Sequence, residues 1–100
     1  MSRHFLRILD IPQQEMLPLI QRAQQLKAVR AQSHLLAGKT ILLVFEKAST
    51  RTRLSFEMAV RELGGSTIFM TPMESQLGRS EPLKDSARVF SRYVHGLVVR

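Results

Sequence analysis

The chain has 100 residues, of which 44% are hydrophobic and 23% charged, a composition typical of one small globular domain at most. It has no cysteine, which excludes disulfides and thiolate metal sites, and no apolar run approaches the roughly 18 residues of a membrane span, so we expect a cytoplasmic protein. The net charge of +7 alone would suit a nucleic-acid binder, but the basic residues form neither a tail nor a pattern interleaved with aromatic residues, and we expect no such partner.

The first predicted element is a helix. Asp10 is a candidate cap, and Pro12 suits the first turn. Pro18 removes one backbone hydrogen bond, so we expect a kink or a late start near Leu17. The apolar residues at i, i+3, i+4 and i+7 spacing predict a buried stripe made of Met16, Leu19, Ile20, Ala23 and Leu26.

Three strand-like runs follow at residues 40–45, 66–70 and 96–100, with helices predicted between them at 52–63 and 82–94. The first and third runs are apolar nearly throughout, which predicts parallel strands covered on both faces. The order βαβαβ indicates an α/β fold: an open parallel sheet preceded by an N-terminal helix. Because a three-stranded parallel sheet with few helices rarely forms a complete domain, we expect the chain to be the incomplete N-terminal part of a larger two-domain α/β protein.

Each of the two intervening helices has an apolar stripe that we expect to be buried. Gly64 and Gly65 are predicted to end the first helix, and Pro82 suits the first position of the second. The predicted stripes are Phe56, Ala59, Val60 and Leu63 in the first helix, and Leu83, Ala87, Phe90 and Val94 in the second.

Polar groups that suit an anion follow the end of the first strand, where ligands bind in open α/β sheets. Backbone N–H groups and the dipole of a helix N-terminus favour a phosphate, and side chains there add hydroxyl and guanidinium donors. Capping the helix needs only one such residue. We therefore predict an anion site formed by Ser49, Thr50, Arg51 and Thr52.

The other two strand ends carry weaker indications. The segment 71–82 is long for a βα connection, which favours a binding loop over a surface excursion and makes Gln76, Arg79 and Ser80 candidate contacts in the same or a neighbouring subunit. Arg100 ends the third strand at the same rim as Arg51, although, taken alone, solvation of the chain end is the better explanation of it. The three histidines lack ligand spacing, so we expect no metal site.

Two stretches carry a resemblance to a known family. "FEKASTRTRLSFE", at residues 45–57, closely resembles the carbamoyl-phosphate signature of the aspartate and ornithine carbamoyltransferases. "SQLGRSEPLKDSARVFSRY", at residues 75–93, resembles the loop and helix that follow it in the ornithine type. The resemblance covers essentially the whole chain, and "FEK" and "QLG" in these stretches favour the ornithine type over the aspartate type.

The resemblance implies an enzyme that transfers the carbamoyl group of carbamoyl phosphate to L-ornithine, giving L-citrulline and phosphate in arginine biosynthesis, without metal or cofactor. It implies that Gln76 reaches carbamoyl phosphate in the adjacent subunit of a homotrimer. The implied ligands of carbamoyl phosphate within the subunit are Ser49, Thr50, Arg51, Thr52 and Arg100. Catalytic roles fall to Arg51, which takes the phosphate leaving group, and to Thr52 and Arg100, which would stabilise charge on the carbonyl oxygen.

The same resemblance implies a two-domain enzyme of which residues 1–100 are a partial carbamoyl-phosphate-binding domain. Its amino-acid-binding domain would lie beyond Arg100, so we expect this portion alone to be inactive. The amine stays open among ornithine, putrescine, aspartate and acetylated ornithine. A non-catalytic module that binds a phosphate ligand is the other class of function left open. The loop reads "RSEP" where the ornithine type usually has glycine-glutamate-serine, which leaves the conformation of 71–82 open.

Overall fold

The computed structural model describes residues 3–29, 33–45, 49–71 and 83–100. It divides into two compact units, Met1–Ala31 and Gln32–Arg100. The first unit contains a 3-10 turn, Ile8–Asp10, and helix α1, Gln13–Val29. The second unit contains β1 (Thr40–Val44), α2 (Thr50–Glu62), β2 (Ser66–Met70), α3 (Leu83–Tyr93) and β3 (Gly96–Val99).

Helix α1 differs from its prediction in three respects. It begins at Gln13 and continues through Pro18, so there is no late start. The carboxylate of Asp10 accepts hydrogen bonds from the backbone N–H groups of Leu6 and Arg7, and therefore stabilises the preceding turn instead of α1. No residue of α1 is buried, and the centre of the predicted stripe is about half exposed. Apolar spacing identified the helix but not its burial.

The second unit is built on a parallel sheet in the order β2-β1-β3. The central strand β1 supplies most of the core, since Leu42, Leu43 and Val44 are at most 2% exposed. Val44 pairs with Met70 on one side and with Val99 on the other. The βαβαβ prediction is confirmed, and the three strands agree with it to within one residue at each end.

Strand β3 is not covered on both faces, contrary to its prediction. Its residues alternate between half-buried and exposed positions, and Val99 is 59% exposed. An apolar run indicates that a strand can be buried on both faces. Whether helices or other segments cover those faces depends on other parts of the fold. In the residues that the structure describes, only β1 has that full cover.

Helices α2 and α3 lie where they were predicted, but their buried positions differ. In α2 only Val60 is buried, while Phe56 is 38% exposed. From residue 85 onward in α3, where the structure describes side chains, the buried residue is Ser86, next to the predicted Ala87, which is exposed. The side chain of the predicted Leu83 lies outside the described part. Gly64 follows the end of α2 with φ of 87°, a left-handed conformation that favours glycine, as expected for a helix terminator.

A pair of hydrogen bonds links the starts of β1 and β3. The backbone N–H of His95 donates to the carbonyl oxygen of Thr40 at 2.9 Å, and the backbone N–H of Thr40 donates to Nδ1 of His95 at 3.1 Å. His95 is exposed and joins the starts of the two strands through these hydrogen bonds. Among the described helices, none combines the length and apolar character needed to cross a membrane.

Candidate anion site at the carboxyl edge of the sheet

The sheet topology places the end of β1 between two diverging connections. β1 leads through α2 to β2 on one side, and the chain then crosses to β3 on the other side. Such a switch point at the carboxyl edge is where open α/β sheets bind ligands. The ladders extend one residue beyond the strands here, because Phe45 N–H donates to Met70 O at 3.1 Å and Arg100 N–H donates to Val44 O at 3.0 Å.

The first turn of α2 forms one wall of this site. Ser49 is its N-cap residue and is 8% exposed, but its side chain makes no capping hydrogen bond. Its carbonyl oxygen accepts the first helical hydrogen bond, from the N–H of Arg53 at 2.8 Å. The first turn contains no acidic residue. Unpaired amides, the helix dipole and nearby arginines therefore make this end of α2 electropositive and suited to an anion.

Arg100 and Thr52 meet at this edge. Nη1 of Arg100 donates a hydrogen bond to Oγ1 of Thr52 at 2.7 Å. Because the threonine oxygen accepts this bond, its own hydroxyl hydrogen remains able to donate to a ligand, and the guanidinium keeps further N–H donors. Two of the predicted site residues thus form one donor group, although they follow different strands.

The two arginines of the "STRTR" stretch have different surroundings. Arg51 is exposed, and its guanidinium forms no ion pair with any other residue that the structure describes. Arg53 is instead engaged: its Nε lies 3.2 Å from Oε2 of Glu57, and its guanidinium carbon lies 3.7 Å from the centre of the Phe69 ring. The guanidinium of Arg51 can therefore bind an anion, whereas the guanidinium of Arg53 is already paired with Glu57 and packed on Phe69.

Sequence reasoning did not assign a role to Arg53. The available signal was Glu57, four residues further along the helix, since an arginine and a glutamate at this spacing lie on one face and can pair. The contact with Phe69 could not be read from the sequence, because it depends on how α2 is rotated against β2.

Gln76, Arg79 and Ser80 lie outside the described residues, as does the rest of the loop 71–82 beyond Thr71. Within the described ranges, no group of three or more His, Asp or Glu side chains is placed to hold a metal ion. A cavity of about 360 Å³ lies elsewhere, beside the start of β2 and the later turns of α2. Its lining residues are Leu54, Glu57, Met58, Arg61, Gly65, Ser66 and Thr67, none of which is a predicted site residue.

An open parallel sheet with an electropositive helix start at its carboxyl edge defines an α/β domain built for a phosphate-type ligand. The sequence model of the "Aspartate/ornithine carbamoyltransferase, carbamoyl-P binding domain" matches residues 3–100. The chain belongs to this family, as its signature stretches had indicated.

Individual relatives agree with this assignment. The chain is 57% identical over 100 residues to a protein of Oleidesulfovibrio alaskensis named ornithine carbamoyltransferase, covering all of this chain and 33% of that protein. It is similar to the crystal structure of anabolic ornithine carbamoyltransferase from Campylobacter jejuni, with a TM-score of 0.87 and 42% identity, over 99% of this chain and 32% of that one. The chain thus spans about a third of the length of the relatives it matches.

A relative named for another amine has nearly the same fold. The catalytic subunit of "M. Jannaschii aspartate transcarbamoylase" aligns with a TM-score of 0.81 and 37% identity, over 99% of this chain and 34% of that one. The fold of this portion is therefore shared by transferases named for different amines, and it does not by itself select the amine.

Proposed function

We propose that these residues are the carbamoyl-phosphate-binding part of an ornithine carbamoyltransferase, which converts carbamoyl phosphate and L-ornithine into L-citrulline and phosphate. The observation that carries this proposal is the 57% identity, across the whole chain, to a protein named for that activity. The anabolic name of the Campylobacter jejuni structure supports a role in arginine biosynthesis. The acceptor amine would be bound by a second domain, since the relatives are about three times as long.

The first turn of α2 would hold the phosphate group. Its free amides and the hydroxyls of Ser49, Thr50 and Thr52 offer neutral donors, and Arg51 offers a planar fork that can bind two phosphate oxygens. The exposed, unpaired state of the Arg51 guanidinium supports this assignment, because no described partner has to be displaced. The same groups would stabilise the phosphate as it leaves.

The linked pair of Arg100 and Thr52 would act on the carbamoyl carbonyl. When the amine nitrogen forms its bond to the carbamoyl carbon, the π electrons of the carbonyl move onto its oxygen. Hydrogen bonds from Arg100 and Thr52 to that oxygen would stabilise the developing charge, as in an oxyanion hole. The electron pair on that oxygen then re-forms the C=O bond, and phosphate leaves with the electron pair of the breaking C–O bond. The proton lost by the amine nitrogen passes to the released phosphate, which is the base that the reaction itself supplies. Positioning and electrostatics are sufficient for each of these steps.

The proposal extends to the assembly and location of the protein. We propose a homotrimer in the cytoplasm, in which Gln76 of one subunit completes the carbamoyl-phosphate site of the next. The family membership and the length of the loop 71–82 support this arrangement.

A direct assay tests the reaction. The protein produced from its complete coding sequence is incubated with carbamoyl phosphate and, separately, L-ornithine, putrescine, L-aspartate or N-acetyl-L-ornithine, and the carbamoylated product is identified by mass spectrometry. We expect citrulline to form from ornithine at least tenfold faster than any other product. Faster carbamoylation of another amine would reassign the substrate, and tight binding of carbamoyl phosphate without any product would support a non-catalytic module.

A further inference from the structure

Arg53 is the centre of a group of side chains that ties α2 to β2. Its Nε donates to Oε2 of Glu57 at 3.2 Å, and its guanidinium carbon lies 3.7 Å from the centre of the Phe69 ring. The other carboxylate oxygen of Glu57 accepts a hydrogen bond from Oγ1 of Thr67 at 3.3 Å. We call Arg53, Glu57, Thr67 and Phe69 the arginine clamp. It joins two residues of the helix to two residues of the strand through side chains that are partly buried.

The arginine clamp lies next to the turn that carries the candidate phosphate contacts. The backbone N–H of Arg53 donates to the carbonyl oxygen of Ser49 at 2.8 Å and so closes the turn that contains Thr50, Arg51 and Thr52. A side chain that anchors Arg53 therefore also anchors this turn.

The strand side of the clamp is attached to the core. Phe69 contacts Phe45 edge to face, with 6.3 Å between ring centres, and Phe45 is fully buried at the end of β1. Phe45 makes a second edge contact, at 5.9 Å, with Phe56 of α2. The clamp thus fixes the first turn of α2 against the strand end from which the site opens.

We propose that Arg53 is a positioning residue for carbamoyl phosphate, acting through Glu57 and Phe69, and that its guanidinium does not contact the phosphate. The inference rests on the proposed function and deepens it. It separates two neighbouring arginines by role: Arg51 binds the ligand, and Arg53 holds the turn that presents Arg51 and Thr52.

The effect of Glu57→Gln has opposite signs under the two roles of Arg53. If Arg53 were a phosphate ligand, removal of the nearby negative charge of Glu57 would strengthen the attraction between this region and an anion. If Arg53 positions the turn, the same substitution loosens the clamp and weakens the use of carbamoyl phosphate. Phe69→Leu removes the stacking surface without a change in charge, and the clamp predicts the same direction for it.

The experiment measures steady-state kinetics and calorimetric binding of carbamoyl phosphate for the full-length protein and its variants Arg53→Met, Arg53→Lys, Glu57→Gln and Phe69→Leu. We expect kcat/KM for carbamoyl phosphate to fall by about tenfold or more in each, because small misplacements of binding groups have effects of this size. Arg53→Lys should give little rescue, since lysine lacks the planar group that stacks on Phe69. The KM for the amine should stay unchanged, whereas partial unfolding would lower kcat alone. Arg61→Gln, which removes a positive charge from the exposed end of the same helix, is the matched control and should behave as wild type.

A double-mutant cycle of Arg53→Met and Glu57→Gln completes the test. Because residues of one clamp should be coupled, kcat/KM for carbamoyl phosphate in the double variant should fall by a clearly smaller factor than the product of the two single-variant factors. Tighter or unchanged carbamoyl-phosphate binding in Glu57→Gln, strong rescue by Arg53→Lys, or an additive cycle would overturn the positioning role. If Arg53→Met does not fold, Glu57→Gln and Phe69→Leu still decide the question. A wild-type protein that neither binds carbamoyl phosphate nor carbamoylates an amine would refute the proposed function itself, whereas an active wild type with normal clamp variants refutes only this inference.

Discussion

Arg100 donates a hydrogen bond from Nη1 to Oγ1 of Thr52 across 2.7 Å, although the two residues are 48 positions apart in the chain. The backbone N–H of Arg100 also bonds to Val44 O, at the end of the central strand. Arg100 is thereby fixed both to β1 and to the first turn of α2. Arg100 and Thr52, which the sequence places after different strands, therefore form one group of hydrogen-bond donors at the carboxyl edge of the sheet.

The coupling of Arg100 and Thr52 can be measured in the full-length protein through the proposed carbamoyl transfer. We expect Arg100→Met and Thr52→Val each to lower kcat by roughly 10² to 10³, as the loss of an oxyanion-stabilising donor does. The kcat of the double variant should fall by a much smaller factor than the product of the two single-variant factors, because each residue depends on the other. Saturating single-turnover rates of the four proteins give the comparison, and a fully multiplicative double variant would show that the two residues act independently.

Arg51 provides a second test of the site. Arg51→Ala should lower kcat/KM for carbamoyl phosphate by several orders of magnitude while the protein stays folded, because a charge-assisted, two-point contact with the phosphate is lost. Arg51→Lys should recover little, since an ammonium cannot reproduce the fork. Circular dichroism checks the fold, and Arg61→Ala on the same helix is the control. Near-normal kinetics for Arg51→Ala would remove this residue from the site.

The fold of the second unit could be predicted largely from local patterns. The run "ILLV" of β1 is apolar, and its last three residues are buried in the sheet centre. Gly64 follows the end of α2 and adopts a positive φ. Both signals are local consequences of burial and backbone conformation. The candidate site was predicted from the topology rule that brings the ends of parallel strands to one edge.

The errors arise where burial depends on distant parts of the chain. The apolar spacing of α1 predicted a buried stripe, yet Leu19 is 52% exposed. Ser86 is buried, and its side-chain oxygen has no hydrogen-bond partner among the described residues, a combination that an apolar pattern would not predict. The role of Arg53 was missed for a similar reason, since its partner Phe69 belongs to another element.

Gly64 and Gly38 form a matched pair for a stability test. Both have positive φ, 87° and 74°, so an alanine at either position carries a backbone cost of about 1 kcal/mol. A Cβ on Gly64 would lie 3.0 Å from the backbone oxygen of Ser33, whereas a Cβ on Gly38 would have no atom of the described residues within 4 Å. We therefore expect Gly64→Ala to lower the free energy of unfolding by more than Gly38→Ala does. Urea unfolding of both variants measures the change in the free energy of unfolding. Equal decreases for the two variants would show that the backbone near Ser33 moves aside at little cost.

The final prediction concerns the proposed sharing of the site between subunits. If Gln76 completes the site of a neighbouring subunit, full-length Arg51→Ala and Gln76→Ala should complement each other in mixed trimers. Each shared site takes its first turn of α2 from one chain and its Gln76 from the next chain. When the two variants assort at random in equal amounts, about a quarter of all sites contain neither substitution. Each parent should have little activity, since each lacks a phosphate donor. Activity should therefore appear after the two variants are unfolded together and refolded, and mass spectrometry of differently tagged chains verifies the mixing. Verified mixed trimers without restored activity would place Gln76 in the site of its own chain, or outside the site altogether.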